Sequence, residues 1–197
     1  LHNYEKILYP IIYTQYLPKG SLEDLLKTLR QNTKINRFNW TQTDNYITLL
    51  GISLGLNYLH SKGIVHYNLK PSNILFDNNY HPMICDIDVY NQTPTTFSKS
   101  YDICNFAQII YELITDKSPP IQIDEIPDLD VQAFIIRCIS DKFEKVPTSE
   151  EVLYFILKKP FKDLFGTINM DKVIQYLNFC HENETDGEDF AVHGMFL

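Results

Sequence analysis

The chain has 197 residues and a mass of 23.1 kDa, which suits one domain or one domain with a short extension. Its 44% hydrophobic and 21% charged residues exclude a collagen-like, low-complexity or wholly disordered chain. Seventeen basic residues against 25 acidic ones give a net charge of −8, which argues against a nucleic-acid partner. Several acids are concentrated near the C-terminus, where we expect a solvated tail. They are Glu182, Glu184, Asp186, Glu188 and Asp189.

The sequence carries none of the usual marks of secretion or of a membrane. It does not begin with a charged region followed by an apolar one, and it has no run of 18 apolar residues. The cysteines stand far apart and without histidines at metal-ligand spacing, which predicts small buried thiols in a reducing compartment. These features predict a cytoplasmic protein that binds no membrane. The cysteines are Cys85, Cys104, Cys138 and Cys180.

The N-terminal part of the pattern predicts a strand, a turn and a short helix. Tyr9–Tyr16 is aromatic and β-branched, and Pro18, Lys19 and Gly20 follow it as a turn. Ser21 with an aspartate three residues later is a capping-box pattern, which predicts that a short helix begins here.

A longer helix is predicted next, and two short strands follow it. Thr41 with Asp44 repeats the capping box, and the helix runs to about Ser61. Its apolar residues lie on more than one face, so we expect it to be buried on most sides. Ile64–Phe76 and Met83–Cys85 have the composition of strands on either side of a polar turn.

From about Tyr101 the pattern is helical. Apolar residues recur at i, i+3, i+4 and i+7 from Phe106 and again from Val131. Thr148 starts a further capped helix, and Met170–His181 carries an apolar stripe that we expect to pack on its own domain. The stripe consists of Val173, Tyr176, Leu177 and Cys180.

The glycines exclude the common phosphate-binding loops. The seven glycines include no G-x-G pair and no G-x-x-x-x-G-K. A dinucleotide fingerprint, a kinase-type glycine-rich loop and a P-loop are therefore all excluded from this sequence.

The most informative stretch is GIVHYNLKPSNILFDNN at 63–79, followed by ICDID at 84–88. By themselves its polar residues are a weak indication of a site, because polar loop residues are common. Their order, however, resembles the H-R-D-L-K-P-x-N-[IL]-L and D-F-G motifs of eukaryotic protein kinases. The similarity continues at 14–22 and 55–60, which resemble the hinge and the helix before the catalytic loop. It extends through segments near 101–113 and 138–153, and so covers roughly residues 10 to 158.

The resemblance implies a fold and a division of the chain. The expected fold is α+β and mainly α-helical, a kinase C-terminal lobe with small strands and with the N-terminal lobe largely absent. Residues 1–158 would form this lobe, with the hinge from about residue 10 and a shortened activation segment at 89–101. Residues 159–197 would form a helical extension and the acidic tail.

The resemblance also implies a nucleotide site. Thr14 would be the gatekeeper, Gln15 and Leu17 would belong to the adenine-facing hinge, and Leu75 would form the floor of the adenine pocket. No cofactor is certain from these residues. The resemblance implies at most weak binding of ATP and magnesium.

The catalytic-loop residues are carried over in the same way. Asn73 and Asp86 would hold magnesium weakly, because this ion usually binds through one or two carboxylates together with substrate phosphates. Asp102 would anchor the loop backbone next to His66. Lys70, two places after the catalytic position, implies Ser/Thr or tyrosine-kinase-like ancestry.

Departures from the family pattern predict that the chain is inactive. Asn68 replaces the catalytic aspartate, and a neutral amide cannot accept the proton of a substrate hydroxyl. General-base help is worth roughly 10²–10⁴ in rate. Lys6 is the only lysine before the hinge and lacks the V-A-I-K context, so we expect no lobe to cover the phosphates.

The activation segment departs further. D-F-G reads Asp86-Ile87-Asp88, and only 13 residues, 89–101, separate it from Asp102. No A-P-E motif is present, and Val146 occupies the position of the arginine that pairs with its glutamate. Because both partners of this ion pair are absent, no unpaired charge is left buried. Loss of only one partner would cost about 3–5 kcal/mol of stability.

These residues predict a pseudokinase fragment that acts as an interaction or regulatory module. We expect a protein partner or self-association at the surface left open by the missing lobe, because exposed apolar patches are usually covered. Two alternatives remain open. One is residual ATP-dependent Ser/Thr kinase activity, and the other is a non-functional gene-model fragment of a longer kinase.

Overall fold

The structure, a computed structural model, describes residues 15–31, 40–88, 95–158 and 164–185. It is mainly helical, as predicted, with two short strands among the described residues. The helices are α1 (Leu22–Arg30), α2 (Gln42–Ser61), α3 (Thr96–Thr115), α4 (Leu129–Cys138), α5 (Ser149–Leu157) and α6 (Met170–Thr185).

Three predicted capping boxes form at the starts of α1, α2 and α5. In each, the first side chain accepts a backbone N–H three residues on, and the acidic side chain accepts the N–H of the cap. A fourth box, Thr95 with Ser98, begins α3 at Thr96. This helix therefore starts five residues before Tyr101, inside the segment predicted to be an activation segment.

The strands are shorter than the sequence pattern predicts. β1 (Ile74–Phe76) pairs antiparallel with β2 (Pro82–Ile84), with Leu75 opposite Met83. Residues 64–73 are not a strand, because their backbone bonds go to a buried side chain and to a 3-10 turn at Pro71–Asn73. Gln15 and Tyr16 are not in a strand either, and the rest of the predicted strand at 9–14 lies outside the described residues.

Helix α2 forms the centre of the core. It contacts α3, α5, α6 and β2, and most of its residues are buried, as its many-sided apolar pattern predicts. The hydroxyl of Tyr46 donates to the carbonyl of Ile156 at 3.3 Å, so even this buried polar group is satisfied.

A smaller apolar group lies apart from this core. We call Leu17, Leu75, Met83 and Cys85 the upper cluster, in which Leu75 is half-buried and the others are buried. Backbone pairing joins the turn before α1 to strand β1, which carries Leu75. Phe76 donates its N–H to the carbonyl of Gly20 at 3.0 Å, and Ser21 forms a bridge with Leu75.

Helix α6 packs on α2, as its apolar stripe predicts. Val173, Tyr176 and Cys180 are buried, and Leu177 is half-buried. Among the described helices, none combines the length and apolar character that crossing a bilayer needs.

Candidate active-site loop

The loop at 66–73 is anchored by one buried carboxylate from α3. Asp102 is fully buried, and its Oδ2 accepts the N–H of His66 at 2.8 Å. Its Oδ1 accepts the N–H of Tyr67 at 2.9 Å, and His60 Nε2 lies 3.0 Å from Oδ2. These contacts compensate the carboxylate for the hydrogen bonds to water that it loses on burial. The loop backbone is therefore fixed to the core of the molecule.

His66 connects the loop to the turn after β2. The imidazole is fully buried, with Nε2 2.9 Å from the carbonyl of Cys85 and Nδ1 3.2 Å from the N–H of Asn68. A carbonyl on one side and a backbone donor on the other place the single proton on Nε2. Burial lowers the pKa of His66, although the Asp102 carboxylate acts in the opposite direction. The ring is therefore a neutral linker.

Two residues at the candidate site have a left-handed backbone conformation. Tyr67 has φ 62° and Asp86 has φ 59°, which residues with a Cβ adopt at some cost. Tyr67 is held there by its bond to Asp102. Such strain persists where the surroundings fix the backbone, and it marks this loop as a candidate functional element.

The predicted catalytic and metal residues come together around this loop. Asn68, Lys70 and Asp86 have exposed side chains. Asn73 is buried, and its Nδ2 donates to the carbonyl of Asn68 at 2.8 Å. The carbonyl of Asn73 in turn accepts the N–H of Cys85 at 2.8 Å.

The oxygens available for a cation are few. The Asp86 carboxylate and the Asn73 amide oxygen are ligand types that magnesium accepts. Among the described residues, no group of three or more His, Cys, Asp or Glu side chains could hold a metal ion. This donor set fits magnesium only when phosphate oxygens complete the shell.

The predicted adenine-facing residues are partly described. Leu17 and Leu75 meet in the upper cluster, whereas Gln15 is exposed. Thr14, the predicted gatekeeper, lies outside the described residues.

Sequence reasoning missed one contributor to this surface. Phe179 of α6 packs against the upper cluster as well as against the main core. It lies three residues after Tyr176, so helical spacing puts both rings on one face of α6. That spacing was available in the sequence, but the part of the fold which this face covers was not.

A cavity of about 380 Å³ lies between the end of α2 and the starts of α3 and α5. Val146 lines it, at the position where the kinase resemblance implies an arginine. Lys99 also lines it and donates from Nζ to the carbonyl of His60 at 2.6 Å, at the end of α2. The space beside Val146, where the sequence predicts that the family's arginine is absent, is thus open and partly polar.

Comparison with known proteins points to one family. A family model described as the protein kinase domain matches residues 2–102, about half of the chain.

Individual relatives agree with this match. The chain is 30% identical over 131 residues to the inactive leucine-rich repeat receptor-like protein kinase CORYNE of Arabidopsis thaliana, covering 56% of this chain and 31% of that protein. It is 38% identical over 77 residues to the probable inactive leucine-rich repeat receptor kinase XIAO of Oryza sativa subsp. japonica, covering 39% of this chain and 6% of that protein. It is 23% identical over 186 residues to a probable serine/threonine-protein kinase of Dictyostelium discoideum, covering 75% of this chain and 14% of that protein. The chain therefore spans less than a third of each of these relatives.

Proposed function

Since this chain belongs to the protein kinase family, we propose that it is a catalytically inactive member of it and acts as an interaction or regulatory module. The observation that carries the proposal is Asn68. It occupies the catalytic position in a loop whose buried supports, Asp102 and His66, are otherwise in place.

The chemistry of Asn68 supports inactivity. Its exposed amide can orient a hydroxyl group, but it cannot act as a base near neutral pH. Lys70 is exposed beside it and can attract a phosphate, but it does not supply the missing base. Loss of general-base help alone would slow the transfer by roughly 10²–10⁴.

The position of α3 supports the proposal as well. Because this helix begins at Thr96, only residues 89–95 lie between Asp88 and its first turn. That is less chain than the 13 residues counted from the sequence, and it leaves little length for a peptide-substrate platform. Two of the relatives described above carry the word inactive in their names.

We place the interaction surface at the upper cluster. Tyr16, directly before Leu17, is 83% exposed, and Leu75 is only half-buried. A large exposed aromatic residue beside an apolar cluster is typical of a contact surface. The proposed occupant is a partner protein or a second copy of this chain.

Activity is tested by a phosphotransfer assay with labelled ATP and magnesium. We expect no turnover by the unaltered chain. Thermal unfolding with and without Mg-ATP accompanies the assay, because a bound ligand raises the midpoint according to RT ln(1 + [L]/Kd). Turnover that disappears in both Asn68→Ala and Lys70→Ala would contradict the proposal.

The contact surface is tested by light scattering over a range of protein concentrations, together with binding of an apolar dye. Tyr16→Ser should reduce association and dye binding. Tyr154→Ser is the matched control, because Tyr154 is 62% exposed on α5. A monomer at all concentrations that binds no dye would contradict self-association and an open apolar surface together.

A further inference from the structure

The cavity between the end of α2 and the starts of α3 and α5 contains a half-buried cation. Lys99 lines this space of about 380 Å³, and its Nζ donates to the carbonyl of His60 at 2.6 Å. Among the described residues, no carboxylate forms an ion pair with this ammonium. An ammonium has three N–H donors, so the described part of the chain leaves two of them for a ligand. A partly buried cation without a counter-charge favours a ligand that carries a negative charge.

The other groups that line the cavity are compatible with an anionic ligand. Most of them are hydroxyls and apolar side chains, and the volume lies within the usual range of ligand pockets, about 300–1,000 Å³. Glu150 is the one carboxylate among the described residues of the lining, and it is exposed. Its charge opposes an anion, but water and salt screen an exposed charge more than a half-buried one. The attraction by Lys99 therefore outweighs the repulsion by Glu150.

An exposed group of aromatic rings lies next to this cavity. Thr96 and Ser100 line the cavity, and the residues that follow them on α3, Phe97 and Tyr101, are 66% and 53% exposed. The ring of Phe143 is 46% exposed and lies perpendicular to that of Phe97, with 5.9 Å between the centroids. The Ser100 hydroxyl lies 3.5 Å from the carbonyl oxygen of Phe143. The three rings, which we call the aromatic patch, thus border a cavity that contains a cation.

We propose that the cavity and the aromatic patch form a docking site for an acidic peptide segment of a partner protein. An aspartate or glutamate of this segment enters the cavity and pairs with Lys99, and an apolar side chain next to it covers the aromatic patch. The acidic character follows from the charge of Lys99. A peptide is favoured over a small free carboxylate because only the peptide also covers the exposed rings.

This docking site is separate from the surface named in the proposed function. No residue of the upper cluster is among the described residues that line the cavity. The inference therefore adds a second contact surface, and it does not depend on whether the chain transfers phosphate.

The test begins with short random peptides displayed on phage, which are selected on the full chain. The selected sequences are synthesised with a fluorescent label, and their affinity for the chain is measured by fluorescence anisotropy. We expect them to contain aspartate or glutamate next to an apolar residue. Replacing that acid by its amide should weaken binding by about tenfold or more, because Lys99 then loses its charged partner.

Two substitutions in the cavity should have opposite effects on the affinity. Lys99→Gln removes the positive charge but keeps an N–H donor, and it should weaken binding by about tenfold or more. Glu150→Gln removes the opposing charge and should strengthen binding by about two- to threefold. Lys27→Gln is the matched control, because Lys27 is exposed on α1 and its loss changes the net charge equally. It should leave the affinity within about twofold.

The aromatic patch is tested separately from the upper cluster. Phe97→Ser should weaken binding by about threefold or more, because the apolar side chain of the peptide loses its contact. Tyr16→Ser, beside the upper cluster, should leave the affinity unchanged, so a failure of the docking site is distinguishable from a failure of the proposed function.

Three results would overturn the docking site. The first is that the selected peptides carry no acidic residue, or that they bind Lys99→Gln as tightly as the unaltered chain. The second is that N-acetylglutamate alone binds as tightly as the peptides, because the aromatic patch would then contribute nothing. The third is that Glu150→Gln does not strengthen binding. Because unfolding cannot produce a gain in affinity, this last variant decides the question even if Lys99→Gln fails to fold.

Discussion

The loop at 66–73 and helix α6 border the same surface but are held there by different physics. The loop is fixed by hydrogen bonds that converge on one buried carboxylate, Asp102. Much of α6 is fixed by aromatic contacts and a buried stripe of Val173, Tyr176 and Cys180. The hydrogen bonds fix the position of the loop backbone, whereas α6 is positioned mainly by the burial of its apolar face.

The hydrogen bonds that support the loop are independent of whether the loop can catalyse a reaction. Buried polar groups of the loop need partners whether or not the loop catalyses a reaction. The supports of His66 and Tyr67 can therefore be retained while Asn68 occupies the position predicted to be catalytic. Retained geometry in such a loop is evidence of ancestry and of folding, and the catalytic group must be judged by its own chemistry.

The largest effect is expected from removing the polar anchor. Asp102→Ala leaves the N–H groups of His66 and Tyr67 without their acceptor in the core. We expect the free energy of unfolding to fall by about 3–5 kcal/mol, measured by urea denaturation. The control is Asp128→Ala, which removes only the N-cap bond to Val131 and should cost about 1 kcal/mol. Equal losses in the two variants would mean that the loop is not held as described.

The next effect concerns the packing of α6. A Cβ added at Gly51 would collide with the Tyr176 hydroxyl and the Pro82 ring, so Gly51→Ala should destabilise the chain by about 1–3 kcal/mol. Alanine favours a helix more than glycine does, so helix propensity alone predicts that this substitution would stabilise the chain. Chemical denaturation of the single variant and of Gly51→Ala with Tyr176→Phe checks this. The double variant should recover part of the lost stability. If it recovers none, the Tyr176 hydroxyl is not what the added Cβ collides with.

A smaller effect on the free energy of unfolding is expected when the pH is lowered. Burial lowers the pKa of His66 below its unfolded value of about 6.5, so the unfolded chain takes up the proton first as the pH falls. His66 therefore contributes stability that is present above pH 6.5 and is lost as the pH falls towards its folded pKa. Urea denaturation at pH 7.5 and 5.5 should show this loss, and His66→Asn should reduce it. An unchanged loss in the variant would show that His66 is not the source of the effect.

The sequence predicted parts of the fold where local chemistry decides the structure. The capping boxes at Ser21, Thr41 and Thr148 and the stripe on α6 depend on spacing within one helix. The start of α3 was missed because Ser98 replaces the usual acidic residue in its capping box. The strand predicted over 64–76 was mostly wrong, because Asp102, distant in sequence, takes up the backbone donors of the loop.

The candidate site also has parts that the sequence could predict and a part that it could not. The kinase motifs predicted that His66, Asn68, Asn73 and Asp86 lie close together, because the whole loop resembles a known arrangement. The contribution of Phe179 could not be predicted, since it depends on how α6 sits on the hairpin. A periodic pattern identifies the buried face of a helix, but it does not identify the surface that the face covers.

The smallest effect on stability is expected at Asn68, the position predicted to be catalytic. Asn68→Asp changes an exposed side chain whose backbone N–H already bonds to His66, so the free energy of unfolding should change by no more than about 0.5 kcal/mol. The same variant restores the missing carboxylate, and we expect it still to lack phosphotransfer activity, because the short segment before α3 remains. Urea denaturation and the labelled-ATP assay measure the two outcomes on one sample. Turnover by this variant would show that the amide alone keeps the loop inactive, and the length of the segment would then lose its part in the explanation.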